Sequence, residues 1–179
     1  MRLLIMSAAR LASAVLILGS STGIASAEVT DADAHGFTLV HESVVSATRA
    51  AAWVAAVEQI DQWWNADHTI SGDAALLSID ARPLGCFCEA ASGGVVHMTV
   101  TTVGTDVNLR MTGGLGPLGL MGVNGNMTWE FFDVAEGTKI RFSYAVGGYS
   151  PQGLDTIADD VDYVIGDALQ RLSAFIDAD

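Results

Sequence analysis

The chain has 179 residues, and its 21 Asp and Glu residues against 8 Lys and Arg residues give a formal net charge of −13 at pH 7. Nucleic acids and anionic membrane surfaces are bound mainly through clusters of Lys and Arg, so this charge excludes both as partners. The length is that of one domain with a single hydrophobic core.

The N-terminus has the three parts of a secretory signal peptide, over residues 1–27. Arg2 and Arg10 form a positive region, an apolar run follows over residues 11–18, and small residues up to Ala27 form a cleavage site. A membrane anchor is the alternative, but a span needs about 20 apolar residues and this run is broken by Ser, Thr and Gly. We therefore predict cleavage after Ala27, no stable membrane insertion of the mature chain, and a periplasmic or secreted location.

The first elements of the mature chain are a leader, a strand and two helices. Residues 28–36 are acidic and lack apolar periodicity, which predicts a flexible leader before a single domain of residues 37–179. A strand is predicted over 37–46, because Val, Thr and Phe are frequent there and the pattern alternates. An alanine-rich helix over 47–57 and a shorter helix over 58–64 follow.

The sequence of the second half of the domain predicts a meander of antiparallel strands followed by one long helix. Turn-forming residues such as Arg-Pro, Ser-Gly-Gly and Glu-Gly separate most of the segments that alternate with a period of two. From Leu154 to Ile176, apolar residues recur at helical spacing, and a curved sheet wrapped around that helix would bury its apolar face. The predicted strands of the meander are 75–81, 85–90, 95–103, 106–111, 126–133 and 138–146.

This order of elements resembles the START-like superfamily, also called SRPBCC. Within it, the chain is similar to the branch represented by the C-terminal domain of the heat-shock chaperone ATPase activator. The similarity includes Asp-Gln-Trp-Trp at 61–64, Ala-Arg-Pro-Leu-Gly at 81–85 and Leu-Arg-Met-Thr-Gly-Gly-Leu-Gly-Pro-Leu at 109–118. The resemblance implies an α+β helix-grip fold, in which a curved antiparallel sheet wraps around the long C-terminal helix. Members use the space between them for lipids, hormones, polyketides or client proteins, so the fold alone does not name the function.

Strand register indicates which side chains face this space. Tight turns between the strands pair Phe87 with Met98, Met98 with Leu109, and Trp129 with Tyr144. The resulting inner face suits either a dry core or a pocket for an apolar ligand. The residues that we predict to contact a ligand are Trp64, Phe87, Met98, Met111, Leu118, Met121, Trp129, Phe142, Tyr144 and Val161.

A glycine-rich loop is predicted over residues 112–126, and it carries apolar residues that include Leu118 and Met121. A loop of this length is uncommon in a compact domain, and the exceptions are often lids or binding loops. The loop is therefore either a lid on the cavity mouth or a packed crossing between the two halves of the sheet. Asp67 and His68, which follow the second helix, are candidates for the same mouth.

Cys86, Cys88 and His97 form the sharpest chemical feature of the sequence. The predicted register places all three on the opposite face of the sheet, where two thiolates and an imidazole are suitable ligands for a soft metal. The set is one ligand short of a closed site, and the cysteines are alternatively packed thiols or a labile disulfide. We predict no bound cofactor.

Glu89 is a weak candidate for catalysis. Facing inward among apolar side chains, its carboxyl group would have a raised pKa suited to acid or base work. Near the turn at the end of its strand, it would instead reach water.

The sequence as a whole predicts an exported protein that binds a hydrophobic small molecule or lipid between sheet and helix. One alternative is an enzyme of cyclase or hydrolase type that uses Glu89 in the same pocket. Another is a protein-binding, chaperone-accessory module, although export separates such a module from cytosolic chaperones and their ATP. The sequence identifies no protein partner.

Overall fold

The computed structural model describes residues 26–178, so the predicted signal peptide lies outside the described residues except for its last two positions. The strands are β1 (Ser26–Asp33), β2 (Gly36–Val45), β3 (Leu77–Ile79), β4 (Cys86–Glu89), β5 (Val95–Gly104), β6 (Asn108–Gly113), β7 (Gly122–Val134) and β8 (Gly137–Tyr149). The helices are α1 (Arg49–Trp53), which continues into a π turn (Val54–Glu58), α2 (Ile60–Trp63) and α3 (Asp155–Asp177). Short 3₁₀ turns occupy Ala66–His68, Ala74–Leu76 and Gly116–Leu120.

The predicted α+β helix-grip fold is confirmed. One antiparallel sheet of 8 strands has the order β1-β2-β8-β7-β6-β5-β4-β3, and it curves around α3. Burial of the apolar face of α3 against the sheet supplies much of the core. The buried side chains on that face are Ala158, Ile165, Ala168, Leu169, Leu172 and Ile176.

The long helix approaches β2 closely at Gly166. A β-carbon there would lie 2.9 Å from Cε1 of His41, so a larger residue would force the helix and the sheet apart. Nε2 of His41 and Oδ1 of Asp162 are 2.8 Å apart, which adds a polar link between the same two elements. The position of α3 over the sheet is therefore set by both packing and a hydrogen bond.

The short helices close one end of the sheet. Thr48 caps α1, because its hydroxyl group accepts a hydrogen bond from the backbone N–H of Ala51. The ring of Trp53 packs edge-on against Phe131, and the ring of Trp63 lies 6.1 Å from that of Trp129. These aromatic contacts anchor α1 and α2 to the core.

The predicted flexible leader is wrong for residues 28–33, which lie in β1. This strand pairs with β2, with Val29 opposite Leu39 and Asp33 opposite Gly36. It is an edge strand held mainly by main-chain hydrogen bonds, which require no alternation of apolar side chains. Its acidic residues also discourage pairing with a further chain.

The predicted pairing of Phe87 with Met98 is confirmed, but the other two pairings are wrong. Trp129 pairs with Phe142, because the β7–β8 turn closes at Val134 and Gly137, one position earlier in each strand than predicted. This moves the partner of Trp129 by two residues and leaves every side chain on its predicted face. In the neighbouring hairpin, Leu109 pairs with Val103 rather than Met98, because the turn encloses residues 105–107 and the strands first pair at Gly104 and Asn108.

Candidate functional site

A cavity of about 360 Å³ lies between α3, the chain that follows α2 and the segment that joins β6 to β7. Most of its wall is apolar, and the acidic side chains that reach it are exposed ones. The lining residues are Trp64, Asp67, His68, Thr69, Ile70, His97, Leu115, Gly116, Pro117, Leu118, Met121, Ile157, Asp160, Val161 and Val164.

The structure divides the predicted ligand contacts into two groups. Trp64, Leu118, Met121 and Val161 line the cavity. The others are at most 1% exposed and pack in the solid core behind it: Phe87, Met98, Met111, Trp129, Phe142 and Tyr144. Rings that stack on one another fill that space, as in the pair Trp129 and Phe142, whose centroids are 4.4 Å apart.

The helix contributes two cavity residues that follow from its periodicity. Ile157 lies four positions before Val161, and Val164 lies three positions after it, so all three share one face of α3. This spacing is the signal that identifies Ile157 from the sequence. Thr69 and Ile70 carry no comparable signal, because they lie in an irregular segment after α2.

The glycine-rich segment forms a fixed wall of the cavity and is shorter than predicted. Its ends belong to β6 and β7, and the 3₁₀ turn between them buries Leu118. The hydroxyl group of Tyr144 donates to the carbonyl of Gly113 and accepts from the N–H of Leu115. Burial raises the pKa of Tyr144 to about 12, so this hydroxyl stays protonated and can make both bonds at neutral pH. Tyr144 therefore positions the wall without lining the cavity.

Asp67 and His68 lie at the mouth, as predicted. The carbonyl of His68 accepts a hydrogen bond from Nε1 of Trp64, which ties this part of the rim to the aromatic core. Nε2 of His68 is 3.7 Å from Oδ2 of Asp167, which already accepts hydrogen bonds from Asn65 and Arg171. The rim is thus ordered by side chains from both α3 and the chain after α2.

His97 occupies the buried part of the cavity wall, contrary to the prediction that it shares a face with the cysteines. Cys88 pairs with Val96 and Phe87 pairs with Met98, so His97 is the extra residue of a β-bulge in β5. The bulge turns both His97 and Met98 inward. As a result, the imidazole of His97 reaches Glu89, with Nε2 2.9 Å from Oε2.

Glu89 is 1% exposed and faces inward, so it does not reach water. Burial raises its pKa, but hydrogen bonds from Ser71, Ile70 and His97 outweigh that effect and lower the pKa from 4.5 to about 2. The prediction of a raised pKa is therefore wrong. The carboxylate is ionised at neutral pH, and it has no proton to donate as a general acid.

Cys86 and Cys88 form a disulfide bond with a Cα–Cα distance of 5.4 Å. Of the alternatives left by the sequence, the structure has the disulfide, and the bond removes both thiolates that the soft-metal alternative requires. His97 points to the other face of the sheet, so the three residues do not converge. Within residues 26–178, no group of three or more His, Cys, Asp or Glu side chains is arranged to hold a metal ion.

Several solved structures share this fold. An uncharacterised protein from Rhizobium leguminosarum is 23% identical, and the match covers 88% of this chain and 100% of that one with a TM-score of 0.57. A protein from Chromobacterium violaceum is 16% identical, with coverages of 79% and 98% and a TM-score of 0.57. Ara h 8.0201 is 14% identical, with coverages of 80% and 99% and a TM-score of 0.56.

These similarities show a START-like fold, to which the Bet v 1-like structure of Ara h 8.0201 also belongs. Sequence identities this low establish a shared fold but not a shared function. No family model matches the sequence, and no curated protein matches it either. None of the helices in the described part of the chain is both long and apolar enough to cross a membrane.

Proposed function

We propose that this protein binds a hydrophobic small molecule or lipid in the cavity between the sheet and α3. The cavity itself carries the proposal, because a largely apolar space lies beside a core of side chains that are fully buried from solvent. Its volume of about 360 Å³ lies in the lower part of the range of natural small-molecule sites. Apolar walls with a few polar groups are the usual composition of such sites.

The proposal includes export to the periplasm or the exterior. The signal-peptide pattern of residues 1–27 supports it. The bond between Cys86 and Cys88 supports it independently, because disulfides persist mainly in oxidising compartments. Cleavage after Ala27 would leave residues 28–33 of β1 to pair with β2.

We further infer that the chain belongs to the START-like branch that it resembles in sequence. The matched segments at 61–64 and 109–118 supply Trp64, Leu115 and Leu118 to the cavity wall. In this chain these segments serve the proposed small-molecule site, which separates its function from that of a chaperone-accessory module.

A neutral dye tests the proposal. N-phenylnaphthylamine fluoresces more strongly in apolar surroundings, and we expect saturable binding of about one dye per folded chain. Val164→Phe places a ring in the cavity and should weaken binding by about tenfold or more, because a filled site accepts further volume only at a cost of about 1–3 kcal/mol. Fluorescence titration of the two proteins measures both effects.

Val107→Phe is the matched control for this titration. It makes the same substitution at a side chain that is 45% exposed and outside the cavity, and the affinity for the dye should not change. Equal dye affinity in the wild type and in Val164→Phe would contradict the proposal, as would the absence of binding to the wild type.

A further inference from the structure

His97 presents a nitrogen atom that the fold leaves unused. Its side chain is only 5% exposed, and it lines the cavity. Nε2 is paired with Glu89, whereas Nδ1 makes no hydrogen bond within the described residues and keeps some accessible surface. Because His97 lines the cavity, this accessible nitrogen is available to pair with a polar group on a ligand.

The pairing with Glu89 determines the character of Nδ1. An ionised carboxylate only accepts hydrogen bonds, so the hydrogen between Nε2 and Oε2 belongs to the imidazole. In the neutral ring, the other nitrogen then carries a lone pair and acts as an acceptor. The matching group on a ligand is a hydrogen-bond donor.

The imidazole is also held in place before any ligand arrives. The ring of Phe87 packs against it with centroids 5.3 Å apart. Glu89 is fixed in turn by the backbone N–H groups of Ile70 and Ser71, in the irregular segment that also lines the cavity. A group held in this way loses little freedom on binding, which favours its use for orientation.

Charge around the cavity excludes an anionic ligand. Asp67 and Asp160 lie on the lining, and Glu89 lies directly behind His97. Across the residues that the structure describes, no Lys or Arg side chain contributes to the lining to balance a carboxylate or phosphate. A fatty acid or a phospholipid headgroup would therefore meet net negative charge at the rim and in the interior.

We propose that the cavity selects an uncharged, mostly apolar molecule with a hydroxyl group that donates a hydrogen bond to Nδ1 of His97. This inference rests on the proposed function, and it adds the class of ligand and the group that orients it. The apolar body would lie against Leu118 and Val164, with the hydroxyl group at the buried end of the cavity.

Three probes of nearly equal shape separate the hydrogen bond from apolar burial. Naphthol has a donor, methoxynaphthalene keeps the oxygen without the donor, and naphthalene has neither. We expect the wild type to favour naphthol over methoxynaphthalene by about tenfold, since the ether leaves Nδ1 unpaired. Isothermal titration calorimetry gives the affinity ratio for each protein.

His97→Gln is the informative variant. The glutamine amide can still donate to Glu89 from about the position of Nε2, so the buried carboxylate keeps its partner, but no atom replaces Nδ1. We expect this variant to bind naphthalene as the wild type does and to lose the preference for naphthol. Comparing ratios between the two proteins cancels the difference in hydrophobicity among the probes.

The outcomes separate the inference from the function on which it rests. Binding of all three probes without a preference for naphthol, or a preference that survives in His97→Gln, would overturn the assignment of the hydroxyl group and leave the apolar cavity intact. Failure of all three probes to bind the folded wild type would overturn both. Nitrogen NMR of the wild type should show the ring proton on Nε2 alone, and a ring with a proton on Nδ1, either alone or together with Nε2, would also contradict the inference.

Discussion

Trp129→Ala should lower the free energy of unfolding by about 3–5 kcal/mol, the loss typical of a large aromatic side chain removed from a packed core. Trp129 is 0% exposed, stacks on Phe142 and contacts Trp63. Its Nε1 has no hydrogen-bond partner within the described residues, so packing alone holds the ring. Urea unfolding of the wild type and the variant measures the difference.

Val161→Ala is the comparison for Trp129→Ala. Val161 lines the cavity on α3, where part of its surface faces empty space. Its truncation should cost about 1 kcal/mol or less, because fewer packing contacts are lost. A small loss for Trp129→Ala as well would show that the interior beside the cavity is loosely packed, contrary to the division of the predicted contacts into core and wall.

Glu89→Ala should destabilise the fold by about 3–5 kcal/mol, because it leaves one buried and two partly buried donors without their acceptor, at about 1–3 kcal/mol each. These donors are the N–H groups of Ile70 and Ser71 and Nε2 of His97. The lost hydrogen bonds join the segment after α2 to the bulge in β5, and both parts of the chain line the cavity. The variant should therefore bind the dye more weakly as well as unfold more easily.

The lowered pKa of Glu89 also predicts how the stability of the wild type depends on pH. Its pKa is about 2 in the fold and 4.5 ordinarily, so the ionised form stabilises the fold fully above pH 4.5. That stabilisation, about 3 kcal/mol, is lost as the pH falls from 4.5 toward 2. Glu89→Gln should show a flatter decline in this window, whereas Glu136→Gln, at an exposed turn, should decline like the wild type. Parallel curves for Glu89→Gln and the wild type would contradict the assigned role.

The sequence predicts the inward face of the sheet well, because the face depends only on parity. Trp129 keeps its predicted orientation although its partner differs, since the register moved by two residues. Parity does not show, however, whether an inward side chain lies in the packed core or on the cavity wall. Met98 and Phe142 occupy inward positions that suit either place, and only the three-dimensional structure shows that they belong to the core.

The candidate site is less predictable for two physical reasons. Its wall comes largely from irregular chain, such as Ile70 and Leu115, where no periodicity indicates direction. The orientation of His97 depends on a β-bulge in β5. The neighbouring residues, Val96 and Met98, include no Gly or Pro that would indicate a bulge, and one extra residue moves a side chain to the opposite face of the sheet. Residues on α3 are the exception, because helical spacing from Val161 identifies both of its neighbours on the cavity face.

A crystal structure of the protein with naphthol is the most direct test of the cavity as a ligand site. The account predicts the naphthalene ring between Leu118 and Val164, with the hydroxyl group within hydrogen-bond distance of Nδ1 of His97. A structure in which the segment from Leu115 to Met121 has collapsed into the cavity, with naphthol bound only on the exterior, would contradict it.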